Sequence, residues 1–222
     1  MSVSTRWTVA VLVVLVALGT AFWMELRDEP APQAGAGQQS SSRDHRDADT
    51  PEALAGPRAR ADLPPCPGPG EDKEDAAAPD SGLLGGITLD CAGDGKPVDV
   101  ASALAGRTVV LNLWAYWCGP CADELPAMAE YQRRVGDDVL VLTVHQDENE
   151  TAALVRLAEL GVRLPTLQDG RRLIAAALKV PNVMPATVVL RPDGSVAGTL
   201  PRSFVSADEI AAAVDEKIRS SR

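Results

Sequence analysis

The stretch Val109-Val-Leu-Asn-Leu-Trp-Ala-Tyr-Trp-Cys-Gly-Pro-Cys121 decides how this chain is read. Its first half, Val109 to Trp114, is a near-continuous apolar run, as expected for a strand covered on both faces. Its second half places Cys118 and Cys121 with two residues between them where a helix would begin. A thiol becomes a nucleophile only as the thiolate, and a helix N-terminus stabilises that anion with unpaired N–H groups and the positive end of the macrodipole. The dipole contribution, at most ~2 kcal/mol, is enough to bring a free thiol into the neutral range. Cys118 is therefore the candidate nucleophile, and Cys121 its partner in a reversible disulfide. Pro120 suits the first helical turn, where its fixed φ and missing N–H cost nothing. Trp117 and Gly119 complete the turn.

A bare Cys-x-x-Cys is also half of a zinc site. Zinc takes four ligands, and the other candidates, Cys66, Cys91, His45 and His145, form no second pair at metal-ligand spacing. Redox chemistry is the better reading of the two.

Taken with Glu124, Pro126 and the later Met184-Pro185-Ala186-Thr187, residues 110–121 resemble the thioredoxin superfamily, and within it the membrane-anchored, extracytoplasmic TlpA/ResA-like thiol–disulfide interchange proteins. The resemblance runs from about Leu83 to the C-terminus. It implies an α/β thioredoxin-like fold, a central mixed sheet flanked by helices. It also implies that Pro185, next to Met184, is a cis-proline lying against the dithiol and offering backbone groups to a substrate strand, which spacing alone does not reveal. Asn112 stands six residues before Cys118, where thioredoxins carry a buried aspartate that moves a proton to or from the second cysteine. Asparagine cannot do that. This branch places a glutamate three residues after the second cysteine, here Glu124, one helical turn from Cys121 and able to tune or shuttle its proton. An acid there also simply favours the first turn of a helix.

Composition divides the chain ahead of this region. Residues 1–26 hold an uncharged run over 7–24 with aromatics near both ends, just long enough for a transmembrane helix. A cleaved signal peptide is the rival reading, with small residues at Gly19-Thr20-Ala21. Phe22 and Trp23 extend the run past that point and favour an uncleaved anchor. Either places the remainder outside the cytoplasm. Residues 27–80 are rich in Ala, Pro, Gly, Ser and Gln, and are expected to be a flexible linker with too few large apolar groups to offset ordering entropy. His45 and the acidic run 71–75 fall in it as solvated residues. Residues 83–222 are the expected thioredoxin-like domain.

Cys66 lies in that linker, and Cys91 follows a short strand expected at 86–89. Outside the cytoplasm such cysteines pair, and of three possible connectivities only Cys66–Cys91 leaves Cys118 and Cys121 free to turn over. This structural disulfide would pin the end of the linker to the domain. A relay of electrons between the two pairs is the sharper alternative, and it requires them to meet in space.

Downstream, strands at 108–115 and 138–144 are each followed by a helix, Gly119–Val135 with Pro126 inside it and Glu150–Leu160 closed by Gly161. This alternation predicts parallel pairing. A short helix at 171–178, a hairpin of Ala186–Leu190 and Val196–Leu200 around Pro192-Asp-Gly194, and a helix over 206–218 opening on a Ser206/Glu209 capping box complete the domain. Net charge is −10, but residues 83–222 hold 14 basic and 18 acidic side chains, so the excess acidity lies mainly outside the domain. No basic surface, Walker motif or dinucleotide glycine pattern points to nucleic acid, nucleotide or flavin.

His145 ends its strand at the edge where ligands and active loops collect in open α/β sheets, so it could approach the dithiol or be an ordinary polar strand-end residue. With the two cysteines it also offers the three-ligand site of a copper-binding thioredoxin-fold protein, although that class usually separates its cysteines by three residues. The resemblance implies reduction of disulfides in exported proteins, with apocytochrome c or another exported thiol protein as client, a membrane electron donor as partner, and no cofactor beyond the dithiol. A disulfide-forming oxidase is the same chemistry reversed, because 30 mV of potential corresponds to only about 1.4 kcal/mol.

Overall fold

Every residue of the strand Val109–Trp114 is buried, and both faces of it are covered by other elements. The computed structural model describes residues 49–68 and 82–220. The run 7–24, His45 and the acidic run 71–75 lie outside the described residues, among which no helix is long and apolar enough to cross a membrane. In chain order the elements are α1 (Pro51–Ala61), β1 (Thr88–Cys91), β2 (Pro97–Asp99), α2 (Val100–Leu104), β3 (Val109–Trp114), α3 (Gly119–Val135), β4 (Leu140–His145), α4 (Glu150–Leu160), β5 (Thr166–Gln168), α5 (Leu173–Ala177), β6 (Ala186–Leu190), β7 (Val196–Leu200) and α6 (Ala207–Ser220).

Among the described residues the strands form one seven-stranded sheet in the order β2-β1-β5-β4-β3-β6-β7. β3, β4 and β5 run parallel, and the other pairings are antiparallel, so the sheet is mixed. Alternation along β3 sends Val110 and Trp114 into one core with Leu125, Met128 and Phe204. It sends Val109, Leu111 and Leu113 into the other, with Leu142, Val144 and Ile174. Asn112 shares the first face, where α3 packs, and that parity decides its partner.

The helices after β3 and β4 and the hairpin strands have the expected bounds, and Gly161 closes α4 in the left-handed region at φ 63°. α3 runs on through Pro126 without ending. β1 starts two residues later than expected. β2, α2 and β5 were not anticipated, because three to five residues carry no readable period.

The expectation of a flexible linker over 27–80 is corrected for residues 49–68, which fold onto the domain. Thr50 caps α1 by accepting from the Ala53 N–H at 3.2 Å, with Pro51 in the first turn and Arg58 and Arg60 in the last. These end signals do not by themselves hold a helix that contains Gly56 and Pro57; docking does. Leu54 and Ala61 pack on Ala92 and Leu154. Arg58 donates to Glu150 Oε1 at 2.9 Å and to the Ala92 carbonyl at 3.2 Å. It also lies across Gly95, where a Cβ would stand 2.6 Å from the guanidinium. Asp49 caps α4 from outside the helix, accepting from the N–H groups of Glu150 and Thr151 at 2.8 and 3.2 Å. The Cys66–Cys91 disulfide then ties the segment to β1, with Cα atoms 5.8 Å apart.

Candidate active site

Trp114 ends β3, and four residues later the chain enters α3 with Cys118 as its N-cap. The Cys118 Sγ accepts from the Cys121 N–H at 3.3 Å, and the Cys118 N–H donates to the Ala115 carbonyl at 3.0 Å. Cys118 and Cys121 are joined as a disulfide. Cys118 is 7% exposed and Cys121 0%, so an incoming sulfur can reach only the former. Gly119 and Pro120 are exposed beside it. Reduced, Cys118 would face the N–H groups of the first turn, the environment that favours a thiolate.

Strand register brings the second part of the site. β6 pairs antiparallel with β3 as far as Leu113 and Ala186, and Pro185 directly precedes Ala186 in a cis peptide with Met184. Pro185 is buried, and Met184 packs against the core cluster that contains both cysteines.

Asn112 and Glu124, separate in the sequence reading, meet. Asn112 Nδ2 donates to Glu124 Oε2 at 2.9 Å, and the Phe204 N–H donates to Oε1 at 3.1 Å. Both side chains are fully buried. Burial pushes the Glu124 carboxyl up to about 7, against the opposing pull of the Asn112 and Phe204 hydrogen bonds. Its folded value lies above the ordinary 4.5, so the native state holds more protons than the unfolded state between the two, and stability falls as pH rises through that window. Urea unfolding at pH 5 and pH 8 should therefore show the wild type losing roughly 3 kcal/mol more than Glu124→Gln. Equal losses would place the carboxyl's titration elsewhere.

Trp117 is 57% exposed and donates its indole N–H to Asp147 Oδ2 at 3.0 Å. His145 is buried and comes to the loop that carries Cys118 rather than to the sulfurs. Its Nε2 accepts from the Tyr116 N–H at 3.4 Å and its Nδ1 bonds Gln168 Oε1 at 2.9 Å. Burial lowers its pKa, against the hydrogen bond to Gln168 and the charges of Asp147 and Asp49. With both ring nitrogens engaged, the three-ligand copper site is not assembled. Among the described residues no group of three or more His, Cys, Asp or Glu side chains is arranged to hold a metal.

The relay between disulfides is not assembled either. β5 and β4 separate β1, which carries Cys91, from β3, which leads to Cys118, so the two strands lie about three strand spacings, ~14 Å, apart. Sequence reasoning missed the Phe204 N–H, Gln168 and Asp147. Phe204 acts through its backbone, which no side-chain pattern marks, and Asp147 sits unremarkably among acids after β4.

A family model described as Redoxin matches residues 73–208. The chain is 32% identical over 117 residues to the thiol-disulfide oxidoreductase ResA of Bacillus subtilis (strain 168), covering 50% of this chain and 64% of that protein. The chain thus spans just under two thirds of that relative. It is 36% identical over 78 residues to thioredoxin 1 of Synechococcus elongatus, covering 33% of this chain and 69% of that protein. A secreted Mycobacterium tuberculosis disulfide oxidoreductase homologous to E. coli DsbE superposes with a TM-score of 0.51 at 24% identity, over 60% of this chain and 96% of that one, a likeness of fold.

Proposed function

The chain belongs to the Redoxin family and is a ResA/TlpA-like member of the thioredoxin superfamily, and on that premise we propose that it is an extracytoplasmic thiol–disulfide oxidoreductase that reduces disulfides of exported proteins. The observation that carries this reading is the bonded pair of a marginally exposed Cys118 at a helix N-terminus and a buried Cys121 one turn on. In the reduced protein the Cys118 thiolate attacks one sulfur of a substrate disulfide, forming a mixed disulfide and expelling the other substrate sulfur as a thiolate that takes up a proton. Cys121, deprotonated, then attacks Cys118 Sγ and releases the second substrate sulfur. Two electrons pass to the substrate, and the Cys118–Cys121 bond is remade.

Each supporting residue has a part in this sequence. Met184 and Pro185 hold the substrate strand by backbone contacts, while Trp117, Gly119 and Pro120 border the approach to Cys118. Glu124, one turn beyond Cys121 and titrating near 7, takes the Cys121 proton before the second attack. Asn112 suits either state of that carboxyl, since its amide offers a donor to the carboxylate or, turned over, an acceptor to the acid. Among the described residues its Oδ1 has no partner while Nδ2 serves Glu124.

The proposal extends to the chain's surroundings. Residues 7–24 anchor the protein in the membrane with its domain outside the cytoplasm. A membrane electron donor re-reduces the dithiol, an exported thiol protein such as apocytochrome c is the client, and the dithiol serves without another cofactor. The equilibrium reduction potential of the Cys118–Cys121 couple tests the direction. A value near that of thioredoxin, about −270 mV, is expected. A value near that of strong oxidants, about −120 mV, would make disulfide formation the reaction.

A further inference from the structure

A run of hydrogen bonds behind the dithiol has its directions fixed by a single carbonyl. The Asp147 backbone oxygen can only accept, so the Gln168 nitrogen lying 2.6 Å from it is the donor. That orientation turns Gln168 Oε1 toward His145 Nδ1 at 2.9 Å and makes Nδ1 the ring nitrogen that carries the proton. Nε2 is left with a lone pair, and the Tyr116 N–H meets it at 3.4 Å. At the other end, Asp147 Oδ2 accepts the Trp117 indole N–H at 3.0 Å. The path from Tyr116 through His145, Gln168 and Asp147 returns to the chain at Trp117. The two residues before Cys118 therefore hang from one buried imidazole.

We propose that His145 is a positioning residue for the Cys118 loop, holding Tyr116 directly and Trp117 by way of Gln168 and Asp147, an inference that rests on reading Cys118 as the exchange nucleophile. Only the neutral ring can do this. A proton on Nε2 would set two N–H donors against each other and displace Tyr116, while leaving the bond to Gln168 intact. The groups that face the imidazole are the rings of Trp114 and Tyr116, with centroids 4.9 and 6.1 Å away, the Gln168 amide, and the charges of Asp147 and Asp49. Both carboxylates favour the cation, and burial opposes them. An ordinary strand-end histidine would need neither a fixed tautomer nor a connection to both residues that precede Cys118.

The test is a pH titration of the full chain in its oxidised form, in which no thiol ionises, followed by nitrogen-resolved NMR. The Tyr116 amide and the Trp117 indole N–H should shift with one midpoint, shared with the His145 imidazole and lying on the acid side of the ordinary histidine range. His145→Asn should remove that shared step. Gln168→Leu should leave the imidazole titrating but release the indole, and should slow exchange through Cys118 at pH 7 by about tenfold. Tyr116 and Trp117 signals that hold still through the His145 titration would overturn the proposal, as would a Gln168→Leu protein with an unmoved indole and the wild-type rate. The wild-type titration needs no variant, so it decides the matter even where a substitution prevents folding. A wild type without exchange activity would instead remove the proposed function, and the resonances would still report the coupling.

Discussion

Cys118→Ser should abolish thiol–disulfide exchange, lowering its rate on the order of a thousandfold or more, because a serine hydroxyl offers no comparable anion at neutral pH. The neighbouring thiol does not substitute for it, since Cys121 is fully buried beneath the first turn of α3. Cys121→Ser should behave differently. Its marginally exposed partner still attacks, but nothing resolves the adduct, so the substrate stays bonded to Cys118. Incubating each reduced variant with a disulfide-bonded protein, quenching with acid and weighing the products would separate the two. Cys121→Ser gains the mass of the substrate and Cys118→Ser does not. Wild-type turnover by both variants would remove the dithiol mechanism.

The second large effect lies away from the chemistry. Replacing both Cys66 and Cys91 with alanine opens a cross-link spanning 25 residues, which in the chain-entropy model stabilises by about 3.5 kcal/mol. The loss falls on the N-terminal segment first, because α1 is otherwise held by few groups: Leu54 and Ala61, Arg58 on Glu150 and the Ala92 carbonyl, the Asp62–Arg163 pair and the Asp49 cap. Urea unfolding should report a drop of about 2–4 kcal/mol, and amides of α1 should lose protection from hydrogen exchange before those of β3. The rate of attack by Cys118 should be unchanged, with two strands between the sites. An unaltered unfolding midpoint would show that the noncovalent contacts alone secure the segment.

Where the sequence was legible, the signal was local. β3 and α3 announce themselves as an apolar run and a Cys-Gly-Pro-Cys helix start, and the dithiol needs only residues three apart. Pro185 was reached only through resemblance, since its place at the head of β6 alongside β3 follows from the pairing of two strands far apart in the chain. The Asn112–Glu124 bond was out of reach for a similar reason. It depends on which face of β3 carries Asn112 and on α3 crossing that face. α1 failed most plainly. Its composition reads as linker, and the partners that overrule that reading are far along the chain, Glu150 being 92 residues from Arg58 and Thr151 being 102 from Asp49. Composition reports what a segment can bury by itself, not what a distant surface offers it.

The Cys66–Cys91 bond also bears on what counts as a module. Cys91 falls inside the part of the chain shared with the family and Cys66 outside it. The edge of the family match therefore runs through a covalent bond. A domain swapped among relatives at the edge of their common sequence would carry away half of this cross-link and none of α1. It would leave Cys91 as an unpaired thiol. For this chain the unit that folds is larger than the stretch matched by the family, and grafting experiments should follow the former.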